Sequence, residues 1–173
     1  MGAEGWPIRM DERLRRFLFP SLTPAYLLRV VLVALGAYGF FGFVCTPFVI
    51  RGKSMENTYR DGGFDFLWKP HYLYSEPRCG DVVAIRLAGE DVVYLKRIVA
   101  LAGQTVAFKD GVLIVNGRPV AEPYVKGPCD WNLPPRTVEL DHVYVVGDNR
   151  SMPMEQHDFG QVSTRRIVGV PLW

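Results

Sequence analysis

The feature that most constrains this chain is a long run without a single charge between Arg29 and Arg51, VVLVALGAYGFFGFVCTPFVI. About 20 consecutive apolar residues are enough to cross the hydrocarbon core of a bilayer as a helix. A buried core helix is the alternative, but such a helix normally keeps a polar stripe and this run has none. The sequence therefore predicts one transmembrane helix over residues 30–50.

The flanks of this helix predict its orientation. A cleaved signal peptide would end in a small-x-small site, which is missing here, so we expect the helix to be retained as an anchor. Basic segments tend to stay in the cytoplasm. We therefore expect a short cytoplasmic N-terminus over residues 1–29 and an extracytoplasmic domain over residues 51–173, in a single-pass protein of the cell membrane. The basic residues before the helix are Arg9, Arg13, Arg15, Arg16 and Arg29.

The exported part of the chain is electrically balanced. The whole chain has 20 basic and 18 acidic residues, and leaving out the arginines and acids that precede the helix makes the two signs equal. A neutral domain lacks the basic surface that nucleic-acid binding needs. The sequence also has neither the Cys and His spacing of a zinc site nor a glycine-rich phosphate loop. We expect the lipid bilayer as a partner, and no nucleic acid, cofactor or metal.

Short segments rich in β-branched and aromatic residues follow the helix, separated by Gly, Pro, Asn and Asp. Turn pairs such as Asn116-Gly117 tolerate positive φ and predict hairpins. The predicted fold class is mainly β: a compact antiparallel sheet or barrel-like domain preceded by a single N-terminal transmembrane helix. The Pro-rich stretch 121–137 is predicted to lie outside the core. The predicted strands are 64–68, 81–86, 92–100, 105–108, 112–115, 142–146 and 166–170.

Two features of the exported part have more than one interpretation. The segment FDFLWKPHYLY is either a half-buried strand or a belt of aromatic rings that rests at the headgroup level of the bilayer. Cys79 and Cys129 both lie where a disulfide can persist, although the sequence does not show whether their geometry permits one.

Ser54 follows directly after the apolar run, in Arg51-Gly52-Lys53-Ser54-Met55. Most serines in such turns are solvated hydroxyls or caps, so a nucleophile needs a nearby base. Strand alternation places Lys96 on the same face as apolar neighbours. An ordinary lysine is neutral in only about one part in a thousand near pH 7.5, but apolar burial lowers its pKa. The alternative is that Lys96 reaches out to water.

Histidine is the competing base. The chain has His71, His142 and His157, and His157 is followed by Asp158, so chain order alone permits a Ser/His/Asp arrangement. No Gly-x-Ser-x-Gly elbow surrounds Ser54, however, and the three histidines have unremarkable sequence settings. The residues favour Lys96 over a histidine.

Several motifs in series resemble the type I signal peptidases. Gly52-Lys53-Ser54-Met55 is followed by a YLKRIVALAGQTV segment over 94–106 and by Gly147-Asp148-Asn149-Arg150, in the order and spacing of that family. The segments 77–83, 159–160 and 167–169 are similar to the family's PxxGDVV strand and to its closing segment. The resemblance covers most of residues 30–173.

The resemblance implies a membrane-anchored, mostly β serine protease that removes signal peptides from exported precursors. It implies Ser54 as the nucleophile and Lys96 as the general base. The backbone N–H of Ser54 would meet the oxyanion, while Gly52 stands where some members add a hydroxyl. Met55 would pack beneath the nucleophile. The turn made by Gly147, Asp148, Asn149 and Arg150 would shape the site around the lysine.

The chain also departs from the family pattern. Asn57 replaces a proline, Pro153 replaces a serine that orients the lysine, and Glu155 and His157 replace an Asp and Arg that pair. Ser151 could supply the missing hydroxyl through a shifted loop. The departures suit a specialised relative that matures one precursor, as in conjugation systems, or a silent membrane-tethered β-domain that binds exported or pilus-like precursors without cutting them.

Overall fold

The computed structural model describes residues 23–56, 58–86 and 93–173, and the chain divides into two compact units, Met1–Gly39 and Phe40–Trp173. Helix α1, Pro24–Gly39, is the described element of the first unit. Proline suits a first helical turn, and Thr23 Oγ1 accepts the Tyr26 N–H at 3.3 Å. Among the described residues one apolar segment, Pro24–Val44, is long enough to cross a membrane, with a mean hydropathy of 2.1.

The second unit begins with a π-helical turn, Phe40–Val44, and a strand β1, Cys45–Val49. The predicted helix over 30–50 is therefore wrong at both ends, because helix α1 begins at Pro24 and residues 45–49 are extended. Pro47 cannot continue a helix, and Thr46 Oγ1 donates to Phe41 O at 2.9 Å where the helix ends. The assignments of 1–29 and 51–173 to opposite sides of a membrane stay predictions.

The other described residues of this unit form strands, turns and one short helix, and every strand pair among them is antiparallel. The predicted mainly β domain is confirmed. The elements are β2 Phe64–Trp68, α2 His71–Tyr74, β3 Val82–Arg86, β4 Val93–Leu101, β5 Thr105–Lys109, β6 Val112–Val115, β7 Arg118–Pro119, β8 Leu133–Thr137, β9 His142–Val146, β10 Gly160–Ser163 and β11 Ile167–Pro171, with 3-10 turns Met154–Gln156 and Thr164–Arg166.

The described strands form two sheets. The larger has the order β1-β2-β11-β3-β4-β9-β10 and the smaller the order β7-β6-β5-β8. Buried residues from β4 and β9 of the larger sheet pack with residues from β5 and β6 of the smaller one, around Trp131. A second cluster lies on β3, β4, β9 and β10, and a third lies beneath the turn after β1. These clusters fix where β4 and the turn after β1 meet.

Three segments differ from the expectations of the sequence analysis. The stretch 121–137 was predicted to lie outside the core, yet Trp131 is 2% exposed and residues 133–137 form β8. Strand β8 is an edge strand, where its two prolines remove no ladder hydrogen bond that another strand needs. The aromatic segment 64–74 is a strand followed by the short helix α2. Strand β10 was not predicted, because it is short and has one buried residue.

The cysteines are unbonded. Cys45 is buried, Cys79 is exposed and Cys129 is half-buried. Of the two outcomes that the sequence permits for Cys79 and Cys129, the structure therefore has two free thiols.

Candidate active site

Ser54 and Lys96 come together although 42 positions separate them. Lys96 lies in β4, where it pairs with Val83 of β3, and Ser54 lies in the turn after β1. Backbone hydrogen bonds between Ile50 and residues 62–63 close that loop. Lys96 Nζ lies 2.8 Å from Ser54 Oγ, a normal hydrogen-bond distance.

Lys96 is buried, with 2% of its surface exposed. The apolar cluster of β3, β4 and β9 lies on its face of the sheet, and Nζ lies 6.0 Å from the centre of the Tyr94 ring. Burial disfavours the ammonium and lowers the pKa of Lys96 to about 8, although the nearby Asp158 carboxylate opposes this shift. When the amine is protonated, it donates to Ser54 Oγ. When it is neutral, the hydroxyl can donate to Nζ.

The serine turn rests on a buried methionine. Met55 is 2% exposed and packs with Ile50 and Leu95 in the third cluster. Its sulfur accepts the Asp148 N–H at 3.4 Å. Gly52 has a φ of +96°, which favours glycine, and its N–H donates to Asp61 Oδ1 at 2.9 Å.

The loop after β9 packs directly on the backbone of the serine. A Cβ added to Gly147 would lie 2.4 Å from Ser54 O and 3.0 Å from Ser54 Cβ, so this position has no room for a side chain. The Asn149 N–H donates to Ser54 O at 2.9 Å, and Asn149 Nδ2 donates to Lys53 O at 3.0 Å. Gly147 and Asn149 therefore fix the carbonyl group of Ser54.

Asp148 ties this loop to the strand of the lysine. Its side chain is fully buried, and its two oxygens accept Arg97 Nε at 2.8 Å and Arg97 Nη2 at 2.6 Å. The Thr58 hydroxyl also donates to Asp148. Because Arg97 follows Lys96 in β4, this bidentate pair joins the serine turn, β4 and the loop after β9.

Arg150 is paired with Glu122, which also bonds Tyr124, and the sequence analysis singled out neither Glu122 nor Tyr124. Its guanidinium is paired with both oxygens of Glu122, at 2.6 and 3.0 Å, while its Nε donates to Gly147 O at 2.7 Å. The Tyr124 hydroxyl donates to Glu122 Oε1 at 2.7 Å, and the Tyr124 ring lies 4.0 Å from the Arg97 guanidinium. The sequence signal that could have indicated these two residues is the Glu-Pro-Tyr run, which places a charged and an aromatic residue in a Pro-rich stretch.

The departures from the family pattern have distinct outcomes. Ser151 Oγ donates to Asn149 Oδ1 at 2.7 Å, so its hydroxyl serves Asn149 and not the lysine. Pro153 and Glu155 are exposed, whereas His157 is 7% exposed. Asn57 lies outside the described residues. The interpretation that all three histidines are unremarkable is wrong for His157, whose Nε2 lies 2.8 Å from Asn149 O.

The described residues contain no group of three or more His, Cys, Asp or Glu side chains that could hold a metal ion. Ser54 Oγ has the amine of Lys96 as its partner, and His157 is directed to a backbone carbonyl. The geometry therefore offers nucleophile and base chemistry from a hydroxyl and an amine.

The chain is similar in sequence to known signal peptidases. The chain is 32% identical over 139 residues to the probable signal peptidase I-1 of Synechocystis sp., a match that covers 76% of this chain and 71% of that protein. It is 33% identical over 140 residues to signal peptidase I of Bacillus licheniformis, covering 73% and 74%. A crystal structure of a signal peptidase I from Enterococcus faecalis V583 aligns with 56% of this chain and 97% of that chain, at 25% identity and a TM-score of 0.46.

The model of the family described as signal peptidase, peptidase S26, matches residues 24–172. That match spans the apolar segment, the serine turn, β4 and the loop after β9. Together with relatives above 30% identity, it establishes that the chain belongs to the signal peptidase family S26 of serine endopeptidases.

Proposed function

We propose that this protein is a membrane-anchored signal peptidase that cleaves exported precursors on the outer side of the cell membrane, with Ser54 as the nucleophile and Lys96 as the general base. The family removes signal peptides from precursor proteins. The observation that carries the proposed mechanism is the 2.8 Å contact between the serine hydroxyl and a lysine that is 2% exposed.

The proposed first step transfers one proton. Neutral Lys96 accepts the hydroxyl proton of Ser54 while Oγ attacks the carbonyl carbon of the scissile bond. The protonated amine then donates that proton to the leaving nitrogen of the substrate. The C–N bond breaks, and an acyl-serine remains. In the second half, Lys96 takes a proton from water, whose oxygen attacks the acyl-serine, and gives it back to Ser54 Oγ.

The tetrahedral intermediates need a donor for the developing oxyanion. The backbone N–H of Ser54 is the proposed donor. Gly52 adds no hydroxyl, and its own N–H is used by Asp61. The backbone of the serine turn must therefore be held firmly, which is what Gly147 and Asn149 do from the other side.

The pairing of the lysine strand changes at Arg97, next to the lysine, and this change suits an extended substrate. Strand β3 pairs with β4 from Val93 to Arg97, and the pairing of β9 with β4 begins at Arg97. A precursor segment could add there as a strand, with backbone hydrogen bonds for affinity, next to the lysine. Small residues near the cut would let its backbone approach Ser54.

Exposed aromatic rings support a position against the bilayer. Phe66 contacts three other rings, Phe41, Phe64 and Trp173, with centroids 5.1 to 6.3 Å away. Phe64 is 56% exposed and Trp173 is 68% exposed. Aromatic side chains favour the interface between lipid and water, so this patch suits contact with headgroups.

Cleavage of a precursor by the full-length protein in detergent tests the proposal. We expect Ser54→Ala and Lys96→Met each to abolish cleavage while the circular dichroism spectrum is unchanged. Ser75→Ala and Lys109→Met, which remove an equivalent group elsewhere in this unit, are the matched controls and should cleave normally. Cleavage at the normal rate by either of the first two variants would overturn the mechanism, and binding without cleavage by the unaltered protein would favour the silent β-domain.

A further inference from the structure

His157 is a buried titratable group that the proposed mechanism does not use. Its side chain lies in the 3-10 turn region after β9, with 7% of its surface exposed. The ring packs edge-on against Trp131, with centroids 4.8 Å apart. Its Cε1 would lie 3.0 Å from a Cβ on Gly147, so the imidazole also forms one wall of the space that glycine must leave empty.

The contacts of this ring identify its tautomer. Nε2 lies 2.8 Å from Asn149 O, and a carbonyl oxygen can only accept, so Nε2 carries the hydrogen. Nδ1 is buried and has no hydrogen-bond partner among the described residues. The neutral imidazole thus fits its surroundings with one hydrogen bond made, and a second N–H on Nδ1 would be a buried donor without an acceptor.

The hydrogen bond of His157 is one link in a chain that ends at the nucleophile. The ring donates to Asn149 O, and the Asn149 N–H donates to Ser54 O at 2.9 Å. Both hydrogen bonds are to the backbone of one residue, so a shift of Asn149 moves the carbonyl of Ser54.

We propose that His157 is a positioning residue that must be uncharged for cleavage, because its neutral ring holds Asn149 and, through Asn149, the backbone of Ser54. The proposal rests on the proposed role of Ser54 and Lys96. It gives the histidine a task different from that of the Arg found there in the family pattern, since an arginine is always charged.

The charges around His157 also favour its neutral form. Lys96 of β4 and Arg150 of the loop after β9 oppose a positive charge on the ring, whereas the neighbouring Asp158 favours it. Burial is the largest effect. Burial and the two cations lower the pKa of His157 below its ordinary value of 6.5, even though the hydrogen bond to Asn149 and the Asp158 carboxylate oppose the shift. His157 therefore stays neutral while Lys96 titrates, and gains a proton only at lower pH.

The slope of log(kcat/KM) against pH tests the proposal. With one required deprotonation, the acid limb has a slope of one, and with two it approaches a slope of two below both pKa values. We expect the unaltered protein to show a slope of one just below pH 8 that steepens below about pH 6.5. In His157→Gln, whose amide can still donate to Asn149 O, the slope should stay at one. An unchanged steep limb in His157→Gln, or a slope of one in the unaltered protein, would overturn the proposal.

Two further variants separate positioning from folding. His157→Phe fills the space but cannot donate, so we expect kcat to fall by about tenfold with KM nearly unchanged, and His157→Gln to restore most of it. His142→Gln, at a partly exposed histidine at the start of β9, is the matched control and should keep the steep limb. Equal kcat in His157→Phe and the unaltered protein contradicts the positioning role.

A measurement that does not need cleavage keeps this inference separate from the proposed function. Nuclear magnetic resonance of the histidine ring protons gives the pKa of His157 in the full-length protein in detergent. Lys96→Met removes a cation that repels the protonated ring, so the pKa of His157 should rise. If Ser54→Ala still cleaves, the proposed function fails while this titration remains readable. If the titration is the same with and without Lys96, the link between the two residues fails.

Discussion

Lys96 Nζ lies 2.8 Å from Ser54 Oγ, in a position where the lysine side chain is 2% exposed. An amine that is kept from water holds its proton less firmly, and its pKa falls to about 8. The same burial that favours the neutral amine also makes the protonated amine costly for the folded protein. Both the proposed cleavage and the stability of the fold should therefore depend on pH through the protonation of Lys96.

Cleavage should increase as the pH rises through about 8. In the proposed mechanism the neutral amine is the active form, and the ammonium dominates below that pKa, so kcat/KM should increase with pH and level off above about 9. At pH 6, two units below the pKa, we expect at least about a hundredfold loss relative to the plateau. Initial rates with a precursor peptide across this range provide the measurement, and a constant rate from pH 6 to 9 would contradict a lysine base.

Lys96→Met should raise the thermal stability of the inactive protein. The folded-state pKa is lowered from 10.5 to about 8, so below pH 8 the native state carries a desolvated ammonium at a cost of about 3 kcal/mol. This cost disappears as the pH rises from 8 to 10.5. Thermal unfolding in detergent should show a higher Tm for the variant at pH 7 and a smaller difference at pH 10. Lys109→Met, at an exposed site, should show no such trend.

Gly147→Ala should reduce cleavage more than it reduces folding. The new Cβ would lie 2.4 Å from Ser54 O. The clash can be relieved only if the backbone of Ser54 moves, and this movement displaces its hydroxyl. A displacement on the order of 1 Å costs about a hundredfold in rate. Gly36→Ala, where no atom lies within 4 Å of the added Cβ, is the control. Full activity in Gly147→Ala would show that the two loops are not packed as described.

Glu122→Ala should destabilise the second unit strongly. It leaves the buried Arg150 guanidinium, whose side chain is 0% exposed, without its carboxylate partner, at a cost of about 3–5 kcal/mol. Tyr124→Phe removes one hydroxyl and keeps the ring over Arg97, so about 1 kcal/mol is expected. Urea unfolding followed by circular dichroism compares the two. Equal small losses would mean that Arg150 finds another partner.

Trp173 should report on contact with lipid. It is 68% exposed and packs edge-on against Phe66, in the aromatic patch that we propose to lie against headgroups. In vesicles that contain a brominated lipid, the full-length protein should lose more tryptophan fluorescence than Trp173→Phe does, because bromine quenches only rings that it can approach. Identical quenching in both proteins would place this patch away from the bilayer.

Ser54 and Lys96 could be identified as candidate site residues because the signal for each lies in its own neighbourhood of the sequence. Lys96 alternates with apolar neighbours in a recognisable strand, and Ser54 stands in a motif. Their contact could not be derived from periodicity, since it depends on how a turn after β1 folds back on β4 over 42 positions.

Other features of the fold and the site could not be predicted, because the local preference of the sequence and the tertiary context disagree. The residues of β1 continue an apolar run, and apolarity alone does not distinguish the end of a helix from a strand. The prolines of β8 argue against a strand except at a sheet edge, where β8 lies. Glu122 lies in a Pro-rich stretch that is typical of a loop. Its pairing with Arg150 forms only after the two sheets are assembled. His157 becomes part of the site in the same way, through a backbone carbonyl that sequence cannot display.

The position of β11 has a consequence for how the larger sheet is assembled. Strand β11 lies between β2 and β3, so β2, which follows the serine turn, and β3, which pairs with the lysine strand, are joined through a segment far from both in sequence. Pairing between segments so distant in sequence is slow, because the loop-closure entropy is lost before the contacts form. The sheet that holds the serine turn beside the lysine strand is therefore complete only when this distant segment has been inserted.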